Sequence, residues 1–366
     1  MQTTQLTTSP VNAASCQAED APNVSIIIVN YNGRSYLDTC LQSVLAYSGP
    51  DIELILVDNQ STDGSAEYVM TAYPQVQVIR NHNNGYGGGN NVAARLARGR
   101  FLVFLNPDTA VTPGWLVSLL TPLVIYPRAG MTTPKLVLMR DPARLNTAGN
   151  DVHLTGLTLC RGMGKPVEEL EKTAVVSAVS GAAFAIRRKL FQKLGGFDTD
   201  FFLYMEDTDL SLRVRLAGFK CLYVPDAIVQ HDYALRFGPQ KTYYQERNRY
   251  LMLLKNLRWR TLLLLLPSLL LAEALTWGFV LLQEPRRYAN KIRAYGWILQ
   301  NWQPLMAKRR QTQAIRRITD GEWLKNVTAR LSFEQVNSGA LAHIAHWLFD
   351  PFFTLWLWAL QGVVFW

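Results

Sequence analysis

The chain has 366 residues, which is enough for one large catalytic domain with a substantial extension. Its formal net charge of +9 is compatible with nucleic acid, anionic lipid or a phosphorylated substrate, so the position of the basic residues must decide between them. The 4 cysteines form no C-x-x-C pair, which argues against a zinc site or disulfide framework and favours a reducing cytoplasm. Residues 1–22 lack the basic start and apolar core of a secretory signal, so we expect a mostly disordered lead-in.

Short runs of apolar and β-branched residues, typical of strands buried on both faces, begin just after this lead-in. They cover residues 24–29, 54–57, 76–79 and 101–105. Helical stretches lie between them, around residues 34–47, 64–72 and 89–98. The alternation predicts an α/β domain with a mostly parallel central sheet, whose ligands bind at the carboxyl ends of the strands.

Polar clusters follow three of these strands and therefore share one edge of the predicted sheet. They are residues 30–33, 58–65 and 106–108. Turns and helix caps are a sufficient account of any single cluster. Three such clusters in succession, two of which contain Asp, favour a binding site for a nucleotide diphosphate. Its base and ribose need hydrogen-bonding groups, and its phosphates need a counter-cation.

Two carboxylates at this edge are candidates for separate tasks. Asp58 is placed to accept hydrogen bonds from a base or ribose, and Asp108 to bind Mg²⁺ or Mn²⁺ together with phosphate oxygens. The glycine-rich stretch 81–91 is predicted to be a loop that brings backbone N–H groups close to an anion ahead of a helix. It lacks the G-x-G-x-x-G order directly after the first strand, so a dehydrogenase has weak support.

The segment 197–207 surrounds carboxylates with aromatic and apolar residues, and such surroundings favour a raised pKa. Asp207 is the candidate general base that removes a proton from an acceptor hydroxyl. The alternative role for an acidic residue here is a helix cap, which we assign to Asp209 at the start of a helix over 209–216. His231 is a candidate metal ligand or a structural histidine, and Gly181 lies where a sugar can approach the backbone or in a packed strand.

Several motifs together resemble the inverting glycosyltransferases of family 2, and within that family a group similar to bacterial rhamnosyltransferases of surface-polysaccharide assembly. The motifs are Ile28-Val29-Asn30-Tyr31-Asn32, Val57-Asp58-Asn59-Gln60-Ser61-Thr62-Asp63-Gly64-Ser65, the glycine-rich stretch from Asn84 to Asn91, Asn106-Pro107-Asp108, Gly195-Gly196-Phe197-Asp198 and Glu206-Asp207-Thr208-Asp209-Leu210. The resemblance covers residues 24–250. It implies a GT-A fold, with Asp58 and Tyr31 at the nucleotide, Asp108 at the metal and Asp207 as general base.

The resemblance also implies a larger set of binding residues. At the nucleotide sugar we expect Asn30, Tyr31, Asn32, Asp58, Asn59, Asp63, Asn84, Gly85, Gly89, Asn90 and Asn106. At the acceptor or transferred sugar we expect Gly181, Asp198, Glu206, Arg247 and Arg249, although the two arginines also fit the start of a basic membrane-facing helix. The metal, Mg²⁺ or Mn²⁺, is expected at Asp108 and His231.

Two departures from the commoner family pattern limit what the resemblance implies. The metal motif often written D-x-D stands here as Asn106-Pro107-Asp108, with one carboxylate, so we expect modest metal affinity. The stretch 245–250 is out of register with the Q-x-x-R-W signature of processive synthases and lacks its tryptophan. We therefore expect transfer of one or a few sugar residues.

The chain changes character after residue 250, so we divide it into a lead-in (1–22), a GT-A domain (23–250) and a helical extension (251–366). Residues 261–283 are almost wholly apolar and long enough to cross a bilayer, and residues 346–366 are apolar and rich in tryptophan. A single crossing would carry the basic residues between them to the far side, against the positive-inside tendency. We therefore expect a peripheral or re-entrant association with the cytoplasmic face of the membrane, with a soluble helical subdomain as the alternative.

The function expected from these features is metal-dependent, inverting transfer of a hexose such as rhamnose from a nucleotide-diphosphate sugar. The expected acceptor is a polyprenyl-diphosphate-linked glycan at an anionic membrane surface, for cell-surface polysaccharide synthesis. Nucleic acid is not expected as a partner, because the basic residues accompany apolar segments rather than a nucleic-acid-binding module. The alternatives are a nucleotidyltransferase, which normally carries a basic glycine-rich loop after the first strand, and a non-catalytic membrane scaffold.

Overall fold

The computed structural model describes residues 22–233, 240–283, 285–331 and 340–366, and the predicted lead-in lies outside these residues except for Pro22. The first half of the chain alternates strands and helices, as the sequence predicts. The strands are β1 (Val24–Asn30), β2 (Ile52–Asp58), β3 (Gln77–Arg80) and β4 (Phe101–Leu105), and the helices are α1 (Arg34–Tyr47), α2 (Ser65–Ala72) and α3 (Gly85–Leu96). All pairings among these strands are parallel, so their carboxyl ends form one edge.

The glycine-rich stretch begins a helix, which corrects the predicted loop. Helix α3 starts at Gly85 rather than at residue 89. Gly85 has φ of +82°, and a Cβ there would lie only 2.1 Å from the carbonyl oxygen of Phe202. At Gly89 a Cβ would lie 2.9 Å from Cγ1 of Val29 on β1. The glycines therefore let α3 pack closely against the sheet and against the loop that contains Phe202.

The second half of the catalytic region extends the same sheet with strands of both directions. Its strands are β5 (Thr109–Val111), β6 (Ala129–Leu138), β7 (Asp141–Thr147), β8 (Asn150–Val152), β9 (Thr158–Cys160), β10 (Ala174–Val176), β11 (Ala183–Arg187) and β12 (Lys220–His231), and its helices are α4 (Trp115–Ile125), α5 (Arg188–Lys193) and α6 (Glu206–Leu216). The sheet order is β10-β12-β6-β11-β4-β1-β2-β3, with β5 beside β12 and β7 beside β6. Strand β11 runs antiparallel to β4 and β6, whereas β12 is parallel to β6. The predicted α/β class is confirmed, with a mixed central sheet.

Helices cover both faces of this sheet, which explains why every residue of β1 and β4 is buried. Ile26 and Ile28 of β1 pack into a core with α1, α2 and α4. Their neighbours Ile27 and Val29 point to the opposite face and pack with α3, α5 and α6. With both faces covered, the carboxyl edge of β1, β2 and β4 is left for ligands.

The remaining helices form one body with the catalytic sheet. They are α7 (Lys241–Asn256), α8 (Trp259–Gln283), α9 (Tyr288–Gln300), α10 (Trp302–Ile315), α11 (Asp320–Leu324) and α12 (Ala340–Val363). The predicted domain boundary at 250/251 falls inside α7, which is continuous across it. A third core joins these helices to Val152, Leu154 and Phe201 of the catalytic region. Among the described residues, one helix is long and apolar enough to cross a membrane, over Trp259–Gly278, and 28% of its most apolar window is buried.

Candidate active site

The carboxyl ends of β1 and β2 carry two buried polar side chains, Asn30 and Asp58, which are register partners across these strands. Asp58 accepts a hydrogen bond from the backbone N–H of Ser61 through Oδ2 at 3.0 Å. Within the described part of the chain, the other Asp58 oxygen and the Asn30 Oδ1 are buried without a hydrogen-bond partner. Buried acceptors of this kind are normally satisfied, so both are available to hydrogen-bond donors on a ligand. Tyr31 lies beside them with 57% of its surface exposed.

Asn32 and Asp63 tie together the loops at this edge. Asp63 accepts the backbone N–H groups of Arg34 at 2.9 Å and Ser65 at 3.1 Å, and so joins the starts of α1 and α2. The Asn32 side-chain oxygen accepts the N–H of Thr62 at 2.7 Å. Their oxygens therefore shape the loops around the edge.

A chain of amide side chains connects the end of β2 with the start of α3. Asn59 donates to the carbonyl of Gly85 at 3.0 Å, and Asn81 donates to Asn59 at 2.7 Å and to Asn84 at 3.0 Å. Asn90 donates to the carbonyl of Tyr86 at 3.0 Å, one turn earlier in α3. These contacts hold the glycine-rich helix start against the strand edge. Asn59, Asn84 and Asn90 were assigned to the nucleotide sugar from the sequence, whereas Asn81 was not.

Asp108 and His231 meet at the end of the next strand pair, as the sequence predicts for metal ligands. Strand β5 pairs with β12 so that Thr109 faces His231, and the His231 Nε2 lies 3.4 Å from the Asp108 Oδ1. Nδ1 of the same ring lies 2.8 Å from the Asn146 side-chain oxygen, which can only accept. Nδ1 therefore carries a proton, and Nε2 is the ring atom that faces Asp108 and could coordinate a metal. Asn106, at the end of β4, contributes backbone hydrogen bonds to Ala182 at 2.9 Å and from Thr109 at 2.6 Å.

This pair fits a divalent cation that is shared with a ligand. Oδ1 of Asp108 is buried and has no hydrogen-bond partner among the described residues. In the same part of the chain, no group of three or more His, Cys, Asp or Glu side chains is arranged to hold a metal. One carboxylate and one imidazole leave most coordination positions to other oxygens, which suits Mg²⁺ or Mn²⁺ bound together with a diphosphate and water.

Asp207 is held in place by two backbone N–H groups. Gly181 donates to Oδ2 at 2.7 Å and Thr208 donates to Oδ1 at 2.7 Å. Burial raises the pKa of Asp207, and these hydrogen bonds oppose the rise without cancelling it. A Cβ at Gly181 would lie 3.1 Å from the Asp207 carboxylate, so a larger residue there would press on the carboxylate. The carboxylate is thus oriented and has the raised pKa that the sequence predicts for a base.

Glu206, next to Asp207, is the more strongly perturbed carboxyl group. It is buried, and its Oε2 has no hydrogen-bond partner within the described residues. Burial, and then the neighbouring charge of Asp207, raise the pKa of Glu206 well above its usual range. Of two adjacent carboxyl groups, the one whose charged form is less stabilised by hydrogen bonds keeps the proton. Glu206 is therefore the neutral member of the pair, and Asp207 is the member that can act as a base.

Tyr86, which the sequence did not single out, links the glycine-rich helix to Asp207. Its hydroxyl donates to the carbonyl of Gly181 at 2.7 Å, on the residue whose N–H group holds Asp207. Burial raises the pKa of Tyr86 well above its usual range, and the nearby carboxylates of Asp207 and Asp108 raise it further. Gly181 is followed by Ala182, whose carbonyl accepts the backbone N–H of Asn106 at 2.9 Å, so the segment that holds Asp207 adjoins the loop that carries Asp108.

The loop before Asp207 has a strained backbone. Phe202, Tyr204 and Met205 have φ values of +59°, +68° and +67°. Each such residue costs on the order of 1–3 kcal/mol unless its surroundings hold it. The buried Asn248 of α7 supplies that support, since its side-chain amide donates to the carbonyl oxygens of Phe201, Leu203 and Tyr204 at 2.9, 2.9 and 2.7 Å. Asn248 is a second residue that the sequence reasoning missed.

The guanidinium groups of Arg247 and Arg249 make hydrogen bonds and ion pairs inside the protein. Arg247 donates to the carbonyl oxygens of Asp200 and of Phe201, the latter at 2.8 Å, and its guanidinium lies 4.7 Å from the ring centre of Trp297. Arg249 is fully buried and forms ion pairs with Glu246 at 2.8 Å and Glu273 at 2.9 Å. The structure thus gives both arginines an internal role in place of the predicted contact with a substrate or a membrane.

Asp198 and Asp209 belong to a buried ion-pair network that reaches into the C-terminal helices. Lys255 of α7 lies 2.7 Å from Asp198 and 2.8 Å from Asp209, and Lys308 of α10 also pairs with Asp198. Burial alone raises the pKa of Asp198, but the two ammonium groups hold it well below its usual range. The predicted cap at Asp209 is wrong, because α6 begins at Glu206 and Asp209 lies within it, paired with Lys255 and Arg213.

Comparison with known proteins agrees with this geometry. Residues 25–195 match the family described as Glycosyl transferase family 2. The chain is 30% identical over 243 residues to the N-acetylglucosaminyl-diphospho-decaprenol L-rhamnosyltransferase of Mycobacterium tuberculosis, covering 58% of this chain and 77% of that protein. It is 28% identical over 220 residues to the rhamnosyltransferase WbbL of Escherichia coli, covering 55% of this chain and 80% of that protein.

Two solved structures show the same fold at lower identity. GalNAc-T7 with UDP, GalNAc and Mn²⁺ aligns with a TM-score of 0.54 and 22% identity, over 66% of this chain and 49% of that one. Residues 1–349 of S. aureus TarS in complex with UDP-GlcNAc align with a TM-score of 0.51 and 16% identity, over 93% of this chain and 92% of that one. The GT-A type of fold that the sequence resemblance implies is thereby confirmed.

Proposed function

This chain belongs to glycosyl transferase family 2 and is a glycosyltransferase, and from that premise we propose that it transfers a hexose, such as rhamnose, with inversion from a nucleotide-diphosphate sugar to an acceptor hydroxyl. The observation that carries the proposal is the orientation of Asp207 by the N–H groups of Gly181 and Thr208, in a segment that adjoins the loop of Asp108 through the hydrogen bond from Asn106 to the carbonyl of Ala182. A base and a candidate cation site near one another are what a single displacement requires.

In the proposed mechanism, Asp207 accepts the proton of the acceptor hydroxyl. The hydroxyl oxygen attacks the anomeric carbon of the donor sugar, the bond to the diphosphate breaks, and the nucleoside diphosphate leaves from the opposite face. One displacement inverts the anomeric configuration and needs no carboxylate nucleophile, unlike a retaining glycosidase. Asp108 and His231 would hold Mg²⁺ or Mn²⁺, which offsets negative charge on the departing diphosphate. Neutral Glu206 can donate a hydrogen bond to a sugar oxygen without repelling it.

The donor nucleotide is assigned to the carboxyl edge of β1 and β2. The oxygens of Asn30 and Asp58 that have no hydrogen-bond partner among the described residues can accept hydrogen bonds from the base and the ribose. The exposed ring of Tyr31 is open to stacking on the base. Asn32, Asn59, Asp63, Asn84 and Asn90 would act by holding the walls of this site, since their hydrogen bonds are internal.

The acceptor is proposed to be a polyprenyl-diphosphate-linked glycan, met at the cytoplasmic face of the membrane by a peripheral enzyme. The support is the name of the M. tuberculosis relative, whose acceptor is N-acetylglucosaminyl-diphospho-decaprenol, and the proportion of that protein that the chain covers, 77%. The apolar helix α8 is a second support, because a lipid-linked acceptor is presented at a bilayer.

The test is release of nucleoside diphosphate by the purified full chain. A panel of sugar nucleotides is offered with Mg²⁺ or Mn²⁺ and a polyprenyl-diphosphate-linked N-acetylglucosamine. Acceptor-dependent release from one donor should be lost in Asp207→Asn and kept in Asp226→Asn, a matched change at an exposed carboxylate on β12. Folded protein that neither turns over nor binds any donor contradicts the proposal and favours a scaffold.

A further inference from the structure

Helix α8 presents an apolar stripe to the outside of the protein. Leu263, Leu266 and Leu270 are 66%, 45% and 67% exposed, and their spacing places them on one side of the helix. The opposite side is buried in the third core, with Leu265 and Ala272 almost inaccessible. Helix α8 is therefore apolar on its outer side as well as its inner side. An exposed apolar surface of this kind is typical of a site that binds a partner or a membrane.

Helix α12 repeats this arrangement beside α8. Leu355 and Trp358 are 68% and 76% exposed, whereas Phe353 on the opposite side is fully buried. The two helices are joined by a hydrogen bond from the Trp356 indole N–H to the carbonyl of Leu264 at 3.1 Å. The two exposed stripes thus lie on adjoining helices, and we call them together the outer apolar face, defined by Leu263, Leu266, Leu270, Leu355 and Trp358.

A buried charge network fixes α8 to the rest of the protein. Glu273, in the second half of α8, pairs with Arg249 of α7 at 2.9 Å and with Lys291 of α9 at 2.8 Å. Both partner side chains are fully buried, and the hydroxyl groups of Tyr250 and Tyr295 also donate to Glu273. Moving α8 into a bilayer as an isolated spanning helix would leave these buried charges without partners, which is strongly unfavourable.

Arginine and tryptophan side chains line a cleft at the start of α8. The cleft has a volume of about 400 Å³ and is formed by Arg258, Trp259, Arg260, Arg309 and Trp366. Indole rings are favoured at the boundary between hydrocarbon and headgroups, and guanidinium groups attract anionic headgroups there. The charge next to the outer apolar face is thus complementary to an anionic lipid surface.

We propose that the outer apolar face docks on a bilayer that contains anionic phospholipid, with α8 and α12 lying in the plane of the interface. The leucine and tryptophan side chains enter the acyl boundary, and Arg258 and Arg260 contact lipid phosphates. This deepens the proposed function, on which it rests for the membrane location of the acceptor, by naming the surface that brings the enzyme to that acceptor. Lipid binding itself requires no turnover, so it is measured without substrates.

The first experiment is sedimentation of the full chain with vesicles of phosphatidylcholine alone or with phosphatidylglycerol. The double variant Leu263→Glu with Leu270→Glu should lose at least about tenfold in vesicle affinity, because two inserted side chains become charged. Met70→Glu is the matched control, since Met70 is 45% exposed on α2 beside the edge strand β3, and it should bind as the unchanged protein does. Arg258→Gln with Arg260→Gln should remove the preference for phosphatidylglycerol.

Three outcomes would overturn the proposal. Equal vesicle binding by the leucine double variant and the Met70→Glu control would show that the outer apolar face is not used. Retention in the membrane fraction at alkaline pH would show a spanning helix. A dimer that forms without lipid and is broken by the leucine changes would show that a second copy covers the face. The leucine changes should leave activity on a water-soluble, short-chain acceptor intact. If the proposed function itself is wrong, the unchanged protein lacks that activity as well.

Discussion

The nucleotide edge and the Asp207 loop are built in different ways. At the nucleotide edge, the polar residues follow the ends of parallel strands, and a key contact such as Ser61 to Asp58 spans three residues of sequence. The loop before Asp207 depends on Asn248, which reaches it from α7 across 44 to 47 residues. The strand ends thus place the central donor-site residues Asn30 and Asp58, whereas packing against α7 specifies the position of the base. Substitutions in α7 should therefore lower turnover and leave donor binding unchanged.

The largest effect is expected for Asp207→Asn. The amide cannot accept a proton, and its NH₂ group would face one of the two N–H donors that hold the carboxylate. Loss of a general base lowers kcat by about 10²- to 10⁴-fold. Steady-state kinetics measures this, and calorimetry with the nucleotide sugar should show unchanged donor affinity. Turnover near that of the unchanged protein would remove Asp207 from the mechanism.

Asn248→Ala tests the dependence of the base on α7 directly. Removing the amide takes the side-chain donor from the carbonyl oxygens of Leu203 and Tyr204 in a strained loop, while Phe201 keeps the one from Arg247, and kcat should fall by about 10- to 100-fold. The donor KM should change much less than kcat, because Asn30 and Asp58 are held by the strands β1 and β2 and by Ser61 rather than by this loop. Asn301→Ala is the matched control, as it removes an amide hydrogen bond of 2.9 Å to Trp297 at the end of α9. Equal loss of kcat in both variants would indicate general destabilisation.

The sequence predicted the local parts of this structure and not the remote ones. Buried strands with uninterrupted β-branched runs were recognisable, and strand ends brought Asp108 and His231 together as expected. The start of α3 was placed too late, because glycine is a poor helix former and its packing role requires knowledge of Phe202. Asp209 looked like a cap because its partner Lys255 lies on another helix. Asn146 was missed for the same reason, since 85 residues separate it from His231.

Asn146→Ala tests whether the hydrogen bond between His231 and Asn146 is needed for cation binding at Asp108 and His231. Without the acceptor at Nδ1, the His231 ring loses the contact that selects its tautomer and orientation. Mn²⁺ affinity in the presence of nucleoside diphosphate should fall by about tenfold, which Mn²⁺ titration followed by electron paramagnetic resonance measures. Nucleotide binding without metal should not change. An unaltered Mn²⁺ titration would mean that His231 is a structural histidine.

The smallest loss of kcat is expected for Tyr86→Phe. Tyr86 connects the glycine-rich helix at the nucleotide edge with Asp207. Its hydroxyl holds the carbonyl of Gly181, and the N–H of Gly181 stabilises the charged form of Asp207. Loosening that peptide weakens a hydrogen bond to the carboxylate, so the already raised pKa of Asp207 should rise further. The acidic limb of the pH profile of kcat should then move to higher pH, and kcat at the optimal pH should fall by about threefold. Tyr73→Phe removes a hydroxyl that donates to Asp38 at 2.8 Å on the far side of the nucleotide edge, and it should leave the acidic limb in place. If both variants leave the limb in place, Tyr86 contributes to packing alone, and the nucleotide edge and the base are positioned independently.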